Sequence, residues 1–565
     1  MDAPEPHAAA SAPVEPPKLV PEADPRLSPE QWARLPLYGE SETVAVGDVL
    51  YGVGDVDPDF FAIEEGSVDI VREPVGEEPA RLVARFGAGA LLGELSILSH
   101  QDIYVTARVT EAGRVRRVPA HEFRRLMASE GEISEVLLIA FQARRDLLLI
   151  AASDTIEIVG RDGTASSLAM RTYLQRMRLP HRWIEVGTPE ADRVLSACGA
   201  DATALPVALL YGSTVLLRAT PGDVAVASGL AYRPRIDEDF DLVVVGGGPA
   251  GLAAAVYGAS EGLETLCVDA IGPGGQAAAS SRIENYLGFP SGLSGTDLAT
   301  RAAIQALKFG ARLNAPCEIV ALRREAAGLI LDLADGTAIR TRAVILATGA
   351  RYRRLAVDRW DEFEGAGIYF AATELEARQC QSSRVAVVGG ANSAGQAALF
   401  LAQKGSRVDL IVRGDELGAG MSSYLVDRLL QHPALTVHTG TEVTGLFGEE
   451  SLRAIELTGR ATGSTERIES SGLFCFIGAT PATDWLEGIA LDESGFVLTD
   501  SAIPGEVIER DWPAELTRPL PFETSIPGVF AAGDVRIGSM KRVAAAVGEG
   551  ASAVASVHRR LAPPG

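Results

Sequence analysis

The clearest candidates for ligand binding in this sequence are glycines at fixed spacings. Gly246, Gly248 and Gly251 form a GxGxxG pattern within DFDLVVVGGGPAGLAAAVYG, where an apolar strand pattern passes into a helix pattern of small residues. Such a turn lets the backbone approach a pyrophosphate, and the free N–H groups at the start of the helix bind its charge. The spacing predicts a dinucleotide site, with Pro249 and Ala250 at the start of the helix.

A second turn of the same kind lies farther along the chain. The first unit continues to a strand that ends at Asp269, where an acid accepts hydrogen bonds from a ribose hydroxyl. The run SRVAVVGGANSAGQAALFLAQKGSRVDLIVRG repeats the strand, turn, helix and strand. Two such units predict two dinucleotide sites, and a domain without a ligand is the alternative for the second unit. The second turn comprises Gly389, Ala391, Asn392, Ser393 and Ala394.

Arg413 ends the second strand of the second unit. An acid at this position favours NADH, whereas an arginine favours the 2′-phosphate of NADPH. Gly414 follows Arg413, so this strand ends in a single arginine. The sequence therefore predicts NADPH, with NADH as the alternative. An ordinary surface charge at the end of a strand is the other interpretation of Arg413.

The order of further motifs resembles the low-molecular-weight thioredoxin reductase family of flavoproteins, from about residue 239 to the end. These motifs are GPGGQ, IENY, AVILATGA and AAGD, followed by KRVAAAVGEG. The resemblance implies FAD in the first unit and a nicotinamide dinucleotide in the second. It also implies a helix near Val543 whose N–H groups point toward the flavin and stabilise its reduced form. The FAD contacts that it implies are Gly274, Gly275, Gln276, Asn285, Thr348, Gly349, Gly533, Asp534, Arg542 and Val543.

The redox CxxC of that family is absent from this chain. Ala371 and Glu374 occupy the two cysteine positions, and Cys380 is too far along the chain to close a CxxC ring. The five cysteines are dispersed, so the sequence predicts neither a disulfide framework nor a metal site. No residue stands out as a catalytic acid or base. We expect Glu549 to be a carboxylate on a helix surface, with tuning of the flavin potential as the alternative, and His558 to be exposed.

These features predict an FAD-dependent NAD(P)H oxidoreductase that gives electrons to something other than its own disulfide. The candidate acceptors are a quinone, dioxygen, another small molecule or the iron–sulfur centre of a protein. One alternative is a flavin-based sensor or interaction protein without turnover. Another is a thioredoxin-disulfide reductase that uses cysteines outside the usual site. The resemblance also implies a homodimer.

The segment before these units contains IEEGSVDIV and GELSIL, which resemble the cyclic-nucleotide-binding domain, a β-barrel followed by helices. The resemblance implies a short helix at Gly93, Glu94 and Leu95, with Glu94 as the acceptor for the ribose 2′-OH. Tyr104 replaces the arginine that holds the phosphate, and Arg108 is out of register. We therefore expect a barrel kept for packing or dimerisation, with a cyclic nucleotide or related ligand as the alternative.

The segment between the barrel and the first glycine turn alternates as strand, helix, strand, helix and two strands. It resembles a thioredoxin or glutaredoxin fold, with Leu205-Pro206 at the cis-proline position. The loop that would hold CxxC reads GRDGTASS, and Cys198 is predicted to be a buried apolar residue. We interpret this segment as a spacer or docking module without redox activity.

The predicted fold class is α/β, in which two Rossmann-like three-layer dinucleotide-binding domains position these residues. A β-barrel and a small thioredoxin-like α/β domain precede them. The net charge of −24 argues against nucleic acid and anionic membrane surfaces, and no apolar run is long enough for a membrane span. Sparse cysteine use favours a cytoplasmic location. The predicted boundaries are 1–27 (disordered tail), 28–150 (barrel), 151–235 (thioredoxin-like), 236–366 and 477–565 (FAD), and 367–476 (NAD(P)).

Overall fold

The computed structural model of the chain describes residues 19–562, except 56–57, 75–79, 100–102, 104, 152–155, 233–238, 281–282, 284–285, 326–327, 365, 371, 373, 381, 514–515 and 517. Residues 19–27 correct the predicted disordered tail. Ala23 is fully buried, and its carbonyl oxygen accepts a hydrogen bond from Nε of Arg144, 2.7 Å away. Leu19 packs against the core of the barrel. Residues 1–18 lie outside the described residues.

The barrel domain (residues 29–151) is built on one six-stranded sheet. Its main strand order is β1-β6-β3-β4, with β2 paired to β6 and β5 paired to β3. Alternating apolar residues such as Phe61, Ile63 and Val115 form its buried core, so the short runs broken by glycine close over one apolar interior. The elements are α1 (Pro29–Trp32), β1 (Glu40–Val44), β2 (Val49–Tyr51), β3 (Phe60–Arg72), β4 (Arg81–Gly87), β5 (Leu91–Leu92), α2 (Glu94–Ser99), β6 (Thr106–Val118), α3 (Ala120–Ser129) and α4 (Gly131–Ala151).

The next segment (residues 156–227) is called the connecting domain below. Its four-stranded sheet has the order β10-β9-β7-β8, and the Leu205–Pro206 peptide bond before β9 is cis. This is the predicted succession of strands and helices, whereas the assignment to a thioredoxin-like fold stays a prediction. The elements are β7 (Ile156–Gly160), α5 (Ala165–Met177), β8 (Arg182–Glu185), α6 (Pro189–Ala197), β9 (Val207–Leu210), β10 (Thr214–Leu217) and α7 (Pro221–Ala227).

The first dinucleotide unit (residues 239–352 and 479–561) has a seven-stranded sheet with the order β13-β12-β11-β16-β15-β14 and β27 beside β16. The strand β11 is buried on both faces: Leu242 and Val244 pack into one apolar cluster, Val243 and Val245 into another. Burial on both faces explains the unbroken apolar run before the first glycine turn. The elements are β11 (Asp239–Val245), α8 (Pro249–Ser260), β12 (Thr265–Val268), α9 (Gly295–Lys308), β13 (Arg312–Asn314), β14 (Ile319–Glu325), β15 (Gly328–Leu333), β16 (Ala338–Leu346), β17 (Ala350–Tyr352), β26 (Ala479–Pro481), α14 (Gly505–Asp511), β27 (Val529–Ala531) and α15 (Val543–Leu561).

The second dinucleotide unit (residues 368–475) is inserted between β17 and β26. Its parallel sheet has the order β18-β25-β19-β20-β21, and β22, β23 and β24 form a separate antiparallel sheet. The carboxylate of Asp409 on β20 bonds to Arg384 on β19 at 2.6 Å and to His438 on β21 at 2.8 Å, so one ionic cluster spans three strands. The remaining elements are α10 (Trp360–Phe363), β18 (Ile368–Tyr369), α11 (Glu374–Gln379), β19 (Arg384–Val388), α12 (Asn392–Gln403), β20 (Arg407–Ile411), α13 (Ser423–Gln431), β21 (Leu435–His438), β22 (Thr441–Gly448), β23 (Leu452–Gly459), β24 (Thr465–Glu469) and β25 (Gly472–Cys475).

No helix of the described residues is both long and apolar enough to cross a membrane. Among the described residues, no group of three or more His, Cys, Asp or Glu side chains could hold a metal ion.

Candidate dinucleotide sites

The first glycine turn joins β11 to α8 as the sequence predicts. Gly246 has a φ of +110°, which favours glycine, and a side chain there would collide with the backbone of Ala347. Gly251 lies against the carbonyl oxygen of Gly246, so α8 packs closely on the turn. Gly248 is the N-cap of α8, and a Cβ on it would lie 3.9 Å from the Cα of Gly275. The first turn of α8 therefore presents its N–H groups without a side-chain cap.

Asp269 follows β12, as predicted, but the structure gives its carboxylate a further role. Oδ2 accepts a hydrogen bond from the N–H of Gly247 at 2.7 Å. Oδ1 accepts from the N–H groups of Ile271 and Gly272 at 2.9 and 2.8 Å. Asp269 thus fixes both the glycine turn and the start of the loop that follows β12. The predicted contact with a ribose stays a prediction.

The loop at residues 272–276, called the glycine loop below, packs on the start of α8. Gly274 and Gly275 have φ values of +108° and +51°. A Cβ on Gly275 would lie 2.8 Å from the Cα of Gly248, so the two glycine segments touch. The side-chain amide of Gln276 donates to the carbonyl oxygen of Ala350.

Two other predicted positions follow β16. The hydroxyl of Thr348 donates to the carbonyl oxygen of Ala482 at 3.1 Å, and Gly349 has a φ of +68° with open space around its Cα. Asn285 lies outside the described residues. The glycine turn, the glycine loop and the end of β16 are therefore neighbours.

Asp534 lies between the start of α15 and Gly533, where a Cβ would be 2.9 Å from the Cβ of Ala250 on α8. Its carboxyl group is partly buried, and burial raises its pKa while Lys541 opposes the change and Glu549 adds to it. Within the described part of the chain, the structure records no hydrogen bond to this carboxylate. The helix α15 begins at Val543 as predicted, and its N-cap Arg542 provides no side-chain cap.

Glu549 corrects an expectation, since it is not a surface carboxylate. Its side chain is 12% exposed and forms a two-point ion pair with Arg536, at 2.9 and 3.0 Å. Oε2 also accepts the N–H of Gly533 at 2.8 Å, so Glu549 fixes the backbone before Asp534. His558 is likewise half-buried rather than exposed, with Nε2 2.9 Å from Glu261. No sequence pattern marks either pairing partner, and Arg536 lies in a loop.

These features fit FAD. The uncapped start of α8 suits a pyrophosphate, the unpartnered carboxylate of Asp534 suits a sugar or ribityl hydroxyl, and the uncapped start of α15 suits an electron-rich edge of a flavin. Gly246, Gly251 and Gly275 lie so close to neighbouring backbone that a Cβ would collide with it, so these positions need glycine.

The second glycine turn has a similar backbone but a more open surface. Gly389 has a φ of +147°, and a Cβ there would lie 2.5 Å from the carbonyl oxygen of Phe476. Ala391 is the exposed N-cap of α12, and Ala394 is buried against the turn. Oδ1 of Asn392 accepts the N–H of Ser422 at 2.8 Å, while Ser393 is exposed.

Arg413 lies just past β20, and its side chain is exposed. Its carbonyl oxygen accepts a hydrogen bond from Arg460 at 3.4 Å. Since an exposed guanidinium at this strand end is accessible to a 2′-phosphate, its position agrees with the NADPH prediction and equally with a plain surface charge.

No cysteine in the chain is in a disulfide. Burial raises the pKa of Cys317, Cys380 and Cys475 to about 12 and raises that of Cys267 further, so these four thiols are poor nucleophiles. Cys198, expected to be buried, is only partly buried at the end of α6. Ala371 lies outside the described residues. Glu374 begins α11, and its side chain also lies outside them.

The barrel has a cavity at the predicted short helix. Gly93 has a φ of +97°, and α2 begins at Glu94 as expected. Glu94 is 1% exposed, and its two oxygens lie 2.8 and 3.0 Å from Nη1 of Arg144 on α4. The expected ribose acceptor is therefore already paired. Leu95 packs against the core of the barrel, and Tyr104 lies outside the described residues.

Three further residues at these sites carry no motif in the sequence. Arg144 lines the barrel cavity beside Glu94. Arg176 on α5 donates from Nη2 to the carbonyl oxygen of Gly275 at 3.2 Å. Tyr352 on β17 stacks on Phe370 with ring centroids 5.3 Å apart, and burial raises its pKa to about 12. Arg108, by contrast, pairs with Glu73 at the surface at 3.3 Å, so it does not reach the cavity of the barrel.

Comparisons with known proteins agree with this geometry. The family model described as pyridine nucleotide-disulphide oxidoreductase matches residues 240–550, and the cyclic nucleotide-binding domain model matches residues 41–130. A thioredoxin reductase from Treponema pallidum (strain Nichols) is 32% identical over 56% of this chain and 96% of its own length. The NADPH-dependent thioredoxin reductase 3 of Arabidopsis thaliana is 34% identical over 57% of this chain and 58% of its own length.

Among solved structures, the crystal structure of T. acidophilum thioredoxin reductase is similar with a TM-score of 0.50 and 28% identity. The similarity covers 57% of this chain and 99% of that one. The two family models leave residues 131–239 unmatched, so the connecting domain lies outside both.

Proposed function

Because the chain belongs to the pyridine nucleotide-disulphide oxidoreductase family, we propose that it moves electrons from NAD(P)H through FAD to an acceptor outside the chain. Membership makes the protein an FAD-dependent NAD(P)H oxidoreductase of the thioredoxin reductase type. When bound, FAD takes a hydride from the nicotinamide and passes two electrons on. We further propose that no disulfide of the chain lies between the flavin and the acceptor.

The state of the cysteines carries this proposal. None of the five thiols is in a disulfide, and four of them are buried with pKa values raised well above neutral pH. An internal relay needs two thiols that can form and exchange a disulfide, one of them as a thiolate. Cys198 is the one that is partly exposed, and one thiol cannot close an intramolecular disulfide. The same observation speaks against a thioredoxin-disulfide reductase that uses cysteines elsewhere in the chain.

The residues of the chain have distinct roles in this proposal. The start of α8 at Gly248 binds the pyrophosphate, and Asp534 accepts a hydrogen bond from a hydroxyl of the ribityl chain. The N–H groups at the start of α15 stabilise the electron-rich edge of the reduced flavin. Asp269, Glu549 and Arg536 hold these segments in place.

The donor is proposed to be NADPH, with NADH as the alternative. The exposed guanidinium of Arg413 is the group of the second unit that suits a 2′-phosphate. One relative is named as NADPH-dependent. The acceptor is proposed to be a quinone, dioxygen, another small molecule or a protein redox centre, and the enzyme to be a homodimer.

For the barrel, we propose a packing or regulatory role rather than tight binding of a cyclic nucleotide. The pairing of Glu94 with Arg144 supports this role, because a ribose hydroxyl would have to compete with a buried guanidinium for the same carboxylate. A cyclic nucleotide is the ligand that the matching family model suggests. A flavin sensor without turnover is the second candidate function, and the cavity in the barrel is the observation that favours it.

Anaerobic reductive titration tests the main proposal. We expect dithionite, and NADPH or NADH, to bleach the flavin completely with about one two-electron equivalent per FAD. A chain with a redox disulfide in contact with the flavin would consume about two. Uptake of a second equivalent by the wild-type protein would contradict the proposal. Bleaching by dithionite but by neither nicotinamide would favour the sensor.

A matched variant controls for the cysteines. Cys380→Ser removes the thiol that is nearest along the chain to the two substituted positions, and it should titrate with the same endpoint as the wild type. Adding dioxygen, quinones or thioredoxin to the reduced protein then identifies the acceptor by the rate at which the flavin colour returns.

A further inference from the structure

The helix α5 of the connecting domain places an arginine against the glycine loop. Nη2 of Arg176 donates to the carbonyl oxygen of Gly275 at 3.2 Å. A Cβ on Gly272 would lie 3.0 Å from the Cβ of Arg176, so the stem of this side chain covers the loop. Gly275 in turn touches Gly248, the N-cap of α8. Arg176 is therefore separated by one layer of backbone from the helix start that suits a pyrophosphate.

The charge of Arg176 is poorly compensated in the polypeptide. Among the described residues, the structure records a single hydrogen bond from Arg176, to the carbonyl oxygen of Gly275, although a guanidinium has five N–H donors. No carboxylate of the described residues forms an ion pair with it. Burial lowers the pKa of Arg176, although the carboxylates of Asp269 and Glu376 oppose this effect. Asp269, which opposes it most, is already bonded to three backbone N–H groups. A desolvated cation without an ion-pair partner is costly, and an anion in the site would offset that cost.

The position of Arg176 is fixed by a well-anchored helix rather than by a loop. Thr164 caps α5 by accepting the N–H of Ser167 at 3.3 Å. Tyr173 and Leu174, on the turn before Arg176, are fully buried. Side chains on a packed helix hold their geometry better than those on loops.

We propose that Arg176 is an FAD-binding residue supplied from outside the segment that matches the flavoprotein family, and that the pyrophosphate of bound FAD compensates its charge. The inference rests on the proposed function, because it requires FAD in the first unit. It gives the connecting domain a role in the cofactor site, in place of the spacer role predicted from its sequence.

Replacement of Arg176 in the purified full-length protein tests the inference. We expect Arg176→Met to raise the Kd of FAD for the apoprotein about tenfold or more, because the attraction between a poorly solvated cation and the pyrophosphate is lost. Arg176→Lys keeps the charge and should lose less. The measurement is a titration of apoprotein with FAD, followed by flavin fluorescence.

Thermal unfolding separates cofactor binding from a structural role. The midpoint for the Arg176→Met apoprotein should equal or exceed that of the wild type, because an uncompensated charge has been removed. Its rise on addition of FAD should be smaller than for the wild type. Arg193→Met, which replaces an exposed arginine on α6, should match the wild type in both measurements.

Three results would overturn the inference. The first is a Kd for Arg176→Met within about threefold of the wild-type value. The second is a lower midpoint for its apoprotein with an unchanged Kd. The third is a tenfold change in the ratio of affinities for reduced and oxidised FAD, equivalent to about 30 mV, which would place the charge at the flavin ring instead of the pyrophosphate. Wild-type protein that binds no FAD would instead refute the proposed function.

Discussion

The carboxyl group of Asp534 lies in an environment that disfavours its charged form. Burial and the nearby charge of Glu549 raise its pKa, against the opposing effect of Lys541. A raised pKa means that the folded protein favours the protonated form of Asp534. The contribution of this carboxyl group to stability is therefore present at low pH and is lost as the pH rises through the folded pKa. At neutral pH the apoprotein therefore holds a destabilised carboxylate, and a hydroxyl donor would stabilise it.

Replacement of Asp534 by asparagine should separate stability from binding. We expect the Asp534→Asn apoprotein to be as stable as the wild type or more stable at pH 7, and its affinity for FAD to fall by about 1.5–3 kcal/mol, the value of a hydrogen bond to a charged group. Wild-type affinity should fall as the pH drops through the raised pKa, whereas that of the variant should not. FAD titrations across this pH range provide the measurement.

Asp361→Asn, at an exposed carboxylate, is the matched control and should leave the pH profile of FAD binding unchanged. If Asp534→Asn and the wild type share the same affinity and pH profile, Asp534 does not bind the cofactor.

Among the elements, α2 and α4 of the barrel are joined by a buried ion pair. Arg144 on α4 is 6% exposed, and Glu94 at the start of α2 is 1% exposed. The same guanidinium donates to the carbonyl oxygens of Ala23 and Leu91, so one side chain links four segments. Breaking such a pair by removing one partner leaves a buried charge and typically costs about 3–5 kcal/mol.

This pairing predicts a weak response to cyclic nucleotides. Calorimetry of the wild-type protein with cAMP and cGMP should give no saturable heat at micromolar ligand, because the ligand would have to displace Arg144 from Glu94. Saturable heat under these conditions would contradict the prediction. Arg144→Gln frees Glu94, and if cAMP binds to this variant alone, the ion pair is what excludes the ligand.

The sequence predicts local units better than it predicts pairs that are distant along the chain. The strands and helices around Gly246 and Gly389, and the helix starts at Glu94 and Val543, follow from short runs of residues whose spacing fixes the backbone. The pairs Glu94–Arg144 and Glu549–Arg536 and the contact of Arg176 with Gly275 depend on how elements pack, and no periodic pattern encodes them. For the same reason Glu549 was wrongly expected at the surface.

Within the larger part of the molecule, α5 contacts both dinucleotide units. Arg176 bonds to the glycine loop of the first unit, while Leu168 packs against the apolar core of the second. Near the start of α5, Arg161 lies 3.4 Å from Glu450 of the second unit. Because α5 contacts both units, it would resist a movement of one unit relative to the other.

Restoring the two cysteines tests this restraint. The variant Ala371→Cys/Glu374→Cys should take up a second two-electron equivalent, but slowly, because the second unit must part from α5 before the disulfide reaches the flavin. Adding Leu168→Ala should speed this second phase, since it removes apolar contact between α5 and the second unit. Stopped-flow reduction gives both rates. Equal rates with and without Leu168→Ala would show that α5 does not limit the movement.

Because β17 pairs with β26, the chain enters and leaves the second unit at neighbouring positions. Tyr352 and Ala479 are cross-strand partners, so their Cα atoms are separated by only about 5 Å, a gap that a two-residue turn can span. Joining them would excise residues 353–478 as a cassette and leave the seven-stranded sheet unbroken. The shortened polypeptide would keep the flavin unit but lack the unit that binds a nicotinamide dinucleotide. Other proteins could then reduce its flavin, but pyridine nucleotides could not.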